Sequence, residues 1–209
     1  MKNRPLSVLE KRVLELSFNN QTSHINSCLT AVDLIDNVYK NKSDKDIFVL
    51  SSGHAGIALY AVLEKYYFKD AQMLFDKHGV HPNRDLDNKI YCSSGSLGQA
   101  IYIAVGAAVA DRTRDVYVLI SDGECAEGSV WEALRLAGEL RLENLKVVVN
   151  ANGTGAYKGI DVDLLDQRLN MFYPSLVART HLLDYPGYLQ GFHGHYKVLD
   201  KEEYKELIS

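Results

Sequence analysis

The stretch VYVLISDGECAEGS, residues 116–129, decides the fold, because a buried strand turns there into a polar loop. Its apolar run leads directly into a turn that carries three carboxylates within six positions: Asp122, Glu124 and Glu127. The segments that follow read SVWEALRLAGELRL and LKVVVNA, with the periodicity of a helix and then of a second buried strand. Such a strand–helix–strand unit predicts parallel pairing with a right-handed crossover.

The rest of the chain extends this alternation. Residues 46–52 (DIFVLSS) and 175–180 (SLVART) predict two further strands. Apolar residues at helical spacing predict helices over residues 5–18, 28–39, 55–68, 96–112 and 201–209. The polar segment 69–90, which contains His-Pro-Asn, is predicted to be mostly loop. We therefore expect one α/β domain over residues 1–209, doubly wound, with a mostly parallel sheet and helices on both faces.

The composition is that of an ordinary globular protein and argues against several classes. The 209 residues are 46% hydrophobic and 24% charged, and the formal net charge is −4. Without a long run of either charge, nucleic acid and anionic membranes are not expected as main partners. No apolar run reaches the roughly 18 residues of a membrane-spanning helix. Three widely spaced cysteines predict free thiols in a reducing cytoplasm: Cys28, Cys92 and Cys125.

Polar residues end two strands that follow one another along the chain. Asp122 and Gly123 end the first, and Asn152 lies just after the second. Ligands of open parallel sheets bind at the carboxyl ends of the strands, so neighbouring strands would bring both side chains into one crevice. A carboxylate and an amide oxygen suit Mg²⁺ or Ca²⁺, with phosphate oxygens as further ligands. A second interpretation of the same residues is that Asp122 caps the following helix.

Five segments, in order, carry a resemblance to a known family. They read SHINSCLTAVDLI, FVLSSGHAGIALYAVLEK, HPN followed by SSGSLGQAIYIAVGAAVADR, SDGECAEGSVWEALRLAGELRLENLKVVVNANG, and HYKVLDKEEYKELI. Together they resemble the diphosphate-binding domain of transketolases, over roughly residues 20–160 and 175–205. The resemblance implies the thiamin diphosphate-binding fold, with thiamine diphosphate and Mg²⁺ (or Ca²⁺) as cofactors.

The resemblance also implies roles for the residues that match the family's motifs. The implied metal ligands are Asp122, Asn152 and the backbone carbonyl of Thr154. The implied cofactor contacts are His54, Gly95, Leu97, Asp122, Gly123, Glu127 and Asn152. Glu127 is expected near a subunit interface. Imidazoles that bond sugar hydroxyls and move protons are implied at His24, His54, His81 and His195, and His193 competes with His195 for the last position.

The implied activity is the transfer of a two-carbon ketol unit from a ketose donor to an aldose or aldehyde acceptor. This chain resembles only the diphosphate-binding domain, so the pyrimidine-binding domain is expected on a partner chain. The expected protein is the N-terminal subunit of a split transketolase, which would be active only with its C-terminal partner in an α2β2-type heterotetramer.

A second departure from the family lies near residues 163–174, where we expect a shortened bridge, LLDQRLNMFYP, in place of a further helix and strand.

Two other functions stay open. One is a subunit of another thiamine-diphosphate enzyme, of the deoxyxylulose-phosphate synthase or 2-oxoacid dehydrogenase type. The other is a non-catalytic, transketolase-like partner protein. The histidines and SSGHAGIALY favour transketolase over the dehydrogenase.

Overall fold

The computed structural model describes residues 4–155 and 158–209 and confirms the doubly wound α/β architecture. Within those residues, four parallel strands form one sheet in the order β1 (Ile47–Leu50), β2 (Val116–Ser121), β3 (Leu145–Ala151) and β4 (Ser175–Arg179). Ser121, the last residue of β2, pairs with Asn150 of β3. The carboxyl ends of these two strands therefore lie side by side, as the strand-end argument requires.

Helices cover both faces of this sheet. In the described part of the chain they are α1 (Val8–Asn19), α2 (Ile25–Asn41), α3 (Gly56–Tyr67), α4 (Ala71–His78), α5 (Ala100–Ala110), α6 (Gly128–Glu139), α7 (Val162–Phe172), α8 (Gly191–Tyr196) and α9 (Lys201–Ile208). Short 3₁₀ turns follow β1 at Gly53–Ala55 and β2 at Gly123–Ala126. None of the described helices combines the length and the apolar character needed to cross a membrane.

Alternate strand residues build two cores, one on each face of the sheet. Leu119 and Val148 pack with α1, α2 and α3 on one face. Ile120 and Val149 pack with α5, α6 and α7 on the other. Because strand side chains alternate between the two faces, the continuous apolar runs of β2 and β3 serve both cores.

Most predicted elements are confirmed. β3 covers the predicted LKVVVNA, β1 and β2 lie within their predicted segments, and SLVART contains β4. The predicted helices appear as α1, α2, α3, α5, α6 and α9, with shifted ends. Helix α1, for example, begins only at Val8, because Ser7 forms a capping box with Glu10.

The prediction that residues 69–90 are mostly loop is wrong for the first part of that segment, which forms α4. Asp70 caps α4 by accepting the N–H of Met73 over 2.9 Å. Only two of its side chains, Ala71 and Leu74, are buried. So short an apolar stripe carries little periodic signal.

The segment expected to be a plain bridge near residues 163–174 is helical as well, and forms α7. Asp161 caps α7 by accepting the N–H of Leu164 over 3.0 Å. Leu165 and Leu169, one turn apart, enter the core. The short α8, which packs against α2, was also not predicted. Tertiary contacts rather than strong local periodicity define both helices.

Candidate functional site

A cleft of about 190 Å³ opens at the carboxyl ends of the strands. Its lining contains most of the residues that the sequence predicts for the site: His24, His54, His81, Gly95, Leu97, Asp122, Gly123, Asn152, Thr154 and His195. Ser27, Ser121 and Asn150 also line it. A larger cleft of about 770 Å³ lies at the opposite ends of β3 and β4 and contains none of these residues. The fold thus gathers the predicted site from distant parts of the chain.

Asp122 is the buried carboxylate of the cleft, with 2% of its surface exposed. Its Oδ1 accepts the backbone N–H of Gly123 over 2.9 Å, and its Oδ2 accepts that of Gly153 over 2.7 Å. Burial raises the pKa of Asp122 to about 6, and the backbone N–H groups oppose this rise. Asp122 caps the turn Gly123–Ala126, whereas the N-cap of α6 is Glu127. The capping interpretation therefore holds for a turn and not for the helix.

The surroundings of Asp122 fit a bound cation. No Lys or Arg lines the cleft, and no cationic side chain within residues 4–155 and 158–209 pairs with this carboxylate. A buried carboxylate without a counter-charge is costly, so a cation would be favourable here. Asn152, whose Oδ1 accepts the N–H of Thr154 over 2.9 Å, adds a neutral oxygen.

The ligand atoms available in the cleft also restrict which cation could bind there. No group of three or more His, Cys, Asp or Glu side chains in the described chain could hold a metal by itself. One carboxylate with neutral oxygens leaves ligand positions for phosphate, which is the usual arrangement for Mg²⁺. The residues present therefore fit Mg²⁺ bound together with a diphosphate.

Three imidazoles cluster in the cleft. The ring centroid of His24 lies 4.4 Å from that of His195 and 5.6 Å from that of His54. The backbone N–H of His24 donates to the carbonyl of His195 over 2.9 Å, which holds α8 against the start of α2. His193 is exposed and does not line the cleft. Of the two competing histidines, the structure places His195 in the cleft.

Burial keeps these three imidazoles uncharged. Burial, and to a lesser degree the neighbouring imidazoles, lower the pKa of His54 to about 3 and that of His24 to about 4. Burial lowers the pKa of His195 as well. Near pH 7 each ring therefore carries one N–H donor and one acceptor nitrogen.

The loop before α5 forms a further wall of the cleft. Gly95 has a φ of +126°, and a Cβ built there would lie 2.8 Å from Cδ2 of His81. The ring of His81 therefore lies against the backbone at Gly95, which leaves room for glycine alone. Leu97, two residues further on, is half-buried in the same loop.

Glu127 is the predicted site residue that the structure places outside the cleft lining. It is exposed, with its Cβ near Gly98. Sequence reasoning gave no site role to Ser27, Ser121 and Asn150 in the lining, or to Glu124, which is completely buried beside Asp122. The position of Glu124 in an acidic loop is visible in the sequence, but its burial depends on segments that are distant in the chain.

The fold and the cleft define a doubly wound α/β domain of the class that binds ligands at the carboxyl ends of its strands. The family model of the transketolase thiamine diphosphate binding domain matches residues 28–162. The chain therefore belongs to the transketolase family, and the matched region is its thiamine diphosphate-binding domain.

Known proteins of this family match the chain over most of its length. Human transketolase is 34% identical over 158 residues, which cover 64% of this chain and 25% of the human protein. One of the subunits of the apulose-4-phosphate transketolase of Phocaeicola vulgatus is 28% identical over 162 residues, which cover 68% of this chain and 57% of that protein. The crystal structure of Campylobacter jejuni transketolase covers 98% of this chain with a TM-score of 0.72, at 21% identity and over 42% of its own length. The last likeness shows the fold. The chain spans only about a quarter of human transketolase.

Proposed function

We propose that this chain is the N-terminal subunit of a split transketolase that depends on thiamine diphosphate and Mg²⁺. It would transfer a two-carbon ketol unit from a ketose to an aldose or aldehyde acceptor. The observation that carries this proposal is a cleft lined both by Asp122, a buried carboxylate with no cationic partner in residues 4–155 and 158–209, and by a cluster of neutral histidines.

Three residues at the ends of β2 and β3 would hold the metal. Asp122 supplies the charge, Asn152 an amide oxygen and Thr154 its backbone carbonyl, and all three line the cleft. Among the described residues of this chain no Lys or Arg lines the cleft, so here the metal would supply the positive charge that a diphosphate needs. Gly123, whose missing side chain permits close approach, would face the diphosphate through its backbone.

The imidazoles would bind the hydroxyl groups of the sugar substrate. When bound, thiamine diphosphate supplies the carbon nucleophile and the electron sink for breaking and forming the carbon–carbon bond. His24, His54 and His195 are neutral and can both donate and accept hydrogen bonds, so they can orient sugar hydroxyls and relay their protons. His81, at the exposed rim, would contact the substrate on entry.

The small size of the cleft supports the proposal that a second chain completes the site. Its volume of about 190 Å³ is below the roughly 300–1,000 Å³ of ligand pockets, so it can enclose only part of a cofactor and its substrate. Helix α5, which begins just after the Gly95 loop, leaves three apolar side chains exposed: Tyr102, Ile103 and Val109. An exposed apolar stripe beside an incomplete cleft supports contact with the chain that carries the pyrimidine-binding domain.

The relative in Phocaeicola vulgatus is named as one of the subunits of a transketolase, which supports the same arrangement. We infer that the pyrimidine-binding domain lies on a C-terminal partner and that the two chains form an α2β2 heterotetramer. Glu127, exposed at the start of α6, would lie near this subunit interface.

The test is calorimetric titration of thiamine diphosphate into this chain co-purified with a pyrimidine-domain chain from the same organism. The matched control is the same titration after Mg²⁺ has been removed with a chelator. Tight binding that requires Mg²⁺ and the partner would support the proposal, and a screen of ketose donors and aldehyde acceptors would then follow.

Other outcomes would point to the other functions. Cofactor binding with turnover of a 2-oxoacid but of no ketose would indicate a dehydrogenase-type subunit. Absence of cofactor binding in the assembled complex would overturn the enzymatic proposal and leave a non-catalytic partner protein.

A further inference from the structure

Glu124 is a fully buried carboxylate, with an exposed fraction of 0%. It accepts three hydrogen bonds: from the hydroxyl of Ser51, from the backbone N–H of Gly98 over 2.7 Å and from the backbone N–H of Ser121 over 3.3 Å. Burial raises its pKa, and these donors oppose the rise. A buried carboxylate is tolerated when its oxygens are satisfied in this way.

The three donors come from three segments that build the cleft. Ser51 directly follows β1 and leads into the turn that carries His54. Gly98 closes the loop that carries Gly95 and Leu97, and Ser121 directly precedes Asp122. The Glu124 carboxylate thus connects three segments of the cleft wall: the turn that carries His54, the loop of residues 94–98 and the turn at Asp122. Glu124 itself does not line the cleft.

This connection needs two acceptor oxygens on one side chain. Oε1 accepts from both Ser51 and Gly98, while Oε2 accepts from Ser121. A glutamine has one acceptor oxygen, so its amide NH₂ would face at least one of these N–H or O–H donors. An aspartate would be one methylene shorter. The geometry therefore selects glutamate over its nearest substitutes.

The loop before α5 depends on this bond. Within residues 94–98, two backbone N–H groups bond to other described segments: Ser94 to the carbonyl of Pro82 over 3.0 Å, and Gly98 to Glu124. Gly98 has a φ of +78°, and a Cβ there would lie 2.2 Å from Oγ of Ser129. Glu124 therefore holds the carboxyl end of the loop.

We propose that Glu124 is the positioning residue of this site. It sets the loop of residues 94–98 against the turn at Asp122, so that the two walls face each other correctly before a cofactor binds. This inference rests on the proposed function in taking thiamine diphosphate as that cofactor. The hydrogen bond between Glu124 and the loop is present in the cofactor-free chain.

The first test is hydrogen–deuterium exchange of the cofactor-free chain, comparing Glu124→Gln with wild type. We expect faster exchange in peptides covering residues 94–99 and 51–55 and unchanged exchange in α2 and α9. A general loss of stability would raise exchange throughout the chain instead. The matched control, Glu132→Gln, removes an exposed carboxylate of α6 that accepts from the hydroxyl of Tyr102 over 2.7 Å, and it should leave both peptides unchanged.

The second test uses the assembled complex. Glu124→Gln should weaken thiamine diphosphate binding by about 10–100-fold, as loss of a supporting hydrogen-bond partner typically does. The KM for the cofactor should rise while kcat at saturating cofactor stays near that of wild type, because Glu124 does not line the cleft. Ser51→Ala keeps the carboxylate and removes one of its donors. It should increase exchange at residues 94–99 and weaken cofactor binding in the same way, but by less than Glu124→Gln. This variant replaces Glu124→Gln in both tests if Glu124→Gln does not fold.

The inference would be overturned if Glu124→Gln and Ser51→Ala both left exchange at residues 94–99 unchanged. It would also be overturned if both variants bound the cofactor with wild-type affinity. If the wild-type complex binds no thiamine diphosphate, the proposed function fails, and the exchange experiment alone decides whether Glu124 holds the loop. The failures of the two proposals are therefore distinguishable.

Discussion

Oδ2 of Asp122, directly after β2, accepts the backbone N–H of Gly153, two residues past β3, over 2.7 Å. This bond joins the ends of two neighbouring strands through a buried carboxylate. Each carboxylate oxygen accepts one backbone N–H and retains capacity for a further ligand. The side chain is therefore held in place before any cation arrives.

Replacing Asp122 by asparagine should abolish the stabilisation that Mg²⁺ and thiamine diphosphate give to the assembled complex. A ligand at 100 times its Kd stabilises a protein by about 2.7 kcal/mol, which is readily seen as a rise in Tm. We expect that rise in wild type and in the control Asp87→Asn, which changes an exposed carboxylate away from the cleft. An equal rise in Asp122→Asn would contradict the metal assignment.

Acid should destabilise the chain through its half-buried histidines. The pKa of His54 is lowered to about 3, below the value of about 6.5 in the unfolded chain, so the unfolded state binds protons that the native state does not. This contribution is fully present above about pH 6.5 and declines as the pH falls towards 3. For His24 the decline extends to about pH 4.

Urea unfolding at pH 7.5 and at pH 5 measures this effect. His54→Gln should reduce the loss of stability between the two pH values by about 1–2 kcal/mol. His193→Gln, at an exposed position, is the control and should keep the wild-type pH dependence. The same pH dependence in His54→Gln as in wild type would show that His54 is not held neutral by burial.

Two glycine-to-alanine changes should have opposite effects on stability. Gly95→Ala should cost about 1–3 kcal/mol, because its φ of +126° is strained for alanine and its Cβ would meet His81. Gly106→Ala should stabilise the chain by about 0.5–1 kcal/mol, because Gly106 lies in α5 and a Cβ there meets nothing within 4 Å. Urea midpoints of the two variants provide the comparison, and a stabilising Gly95→Ala would show that the loop can adopt another conformation.

Asn144 stabilises the connection between α5 and β2. Its side-chain NH₂ lies 3.1 Å from the carbonyls of Ala108 and Asp111 and 3.0 Å from that of Arg114. Asn144→Ala should therefore lower the free energy of unfolding by about 1–3 kcal/mol, since it leaves buried carbonyls without donors. The exposed Asn41→Ala should change it by less than about 0.5 kcal/mol. Similar values for the two variants in chemical unfolding would show that water replaces the lost donors.

His81 should affect turnover more than cofactor binding. It lies at the exposed rim of the cleft and touches the backbone at Gly95, without a bond to Asp122 in the described structure. In the assembled complex, His81→Ala should lower kcat/KM for the ketose by about 10-fold or more, as loss of a substrate hydrogen bond of about 1.4 kcal/mol would do. A comparable loss of thiamine diphosphate affinity in calorimetry would instead place His81 among the cofactor contacts.

Much of the fold could be predicted from local pattern. The uninterrupted apolar runs of β2 and β3 and the helical spacing between them identify a parallel α/β unit, because burial on both faces leaves this signature. The helices α4 and α7 could not be predicted in the same way. Each buries only two side chains, and their caps, Asp70 and Asp161, are recognisable only once the helix is known.

The amino-acid sequence by itself determined the fold class and most of the residues that line the candidate site, because strand ends and the motifs that resemble the family can be recognised locally. The tertiary structure decided what those residues become. It pairs Ser121 with Asn150 and surrounds the Glu124 carboxylate with hydrogen-bond donors. It also withdraws His24 and His54 from water far enough to lower their pKa values and keep them neutral near pH 7. These properties depend on desolvation and on partners from distant segments, such as Ser51, 73 positions before Glu124. No local pattern in the chain encodes them.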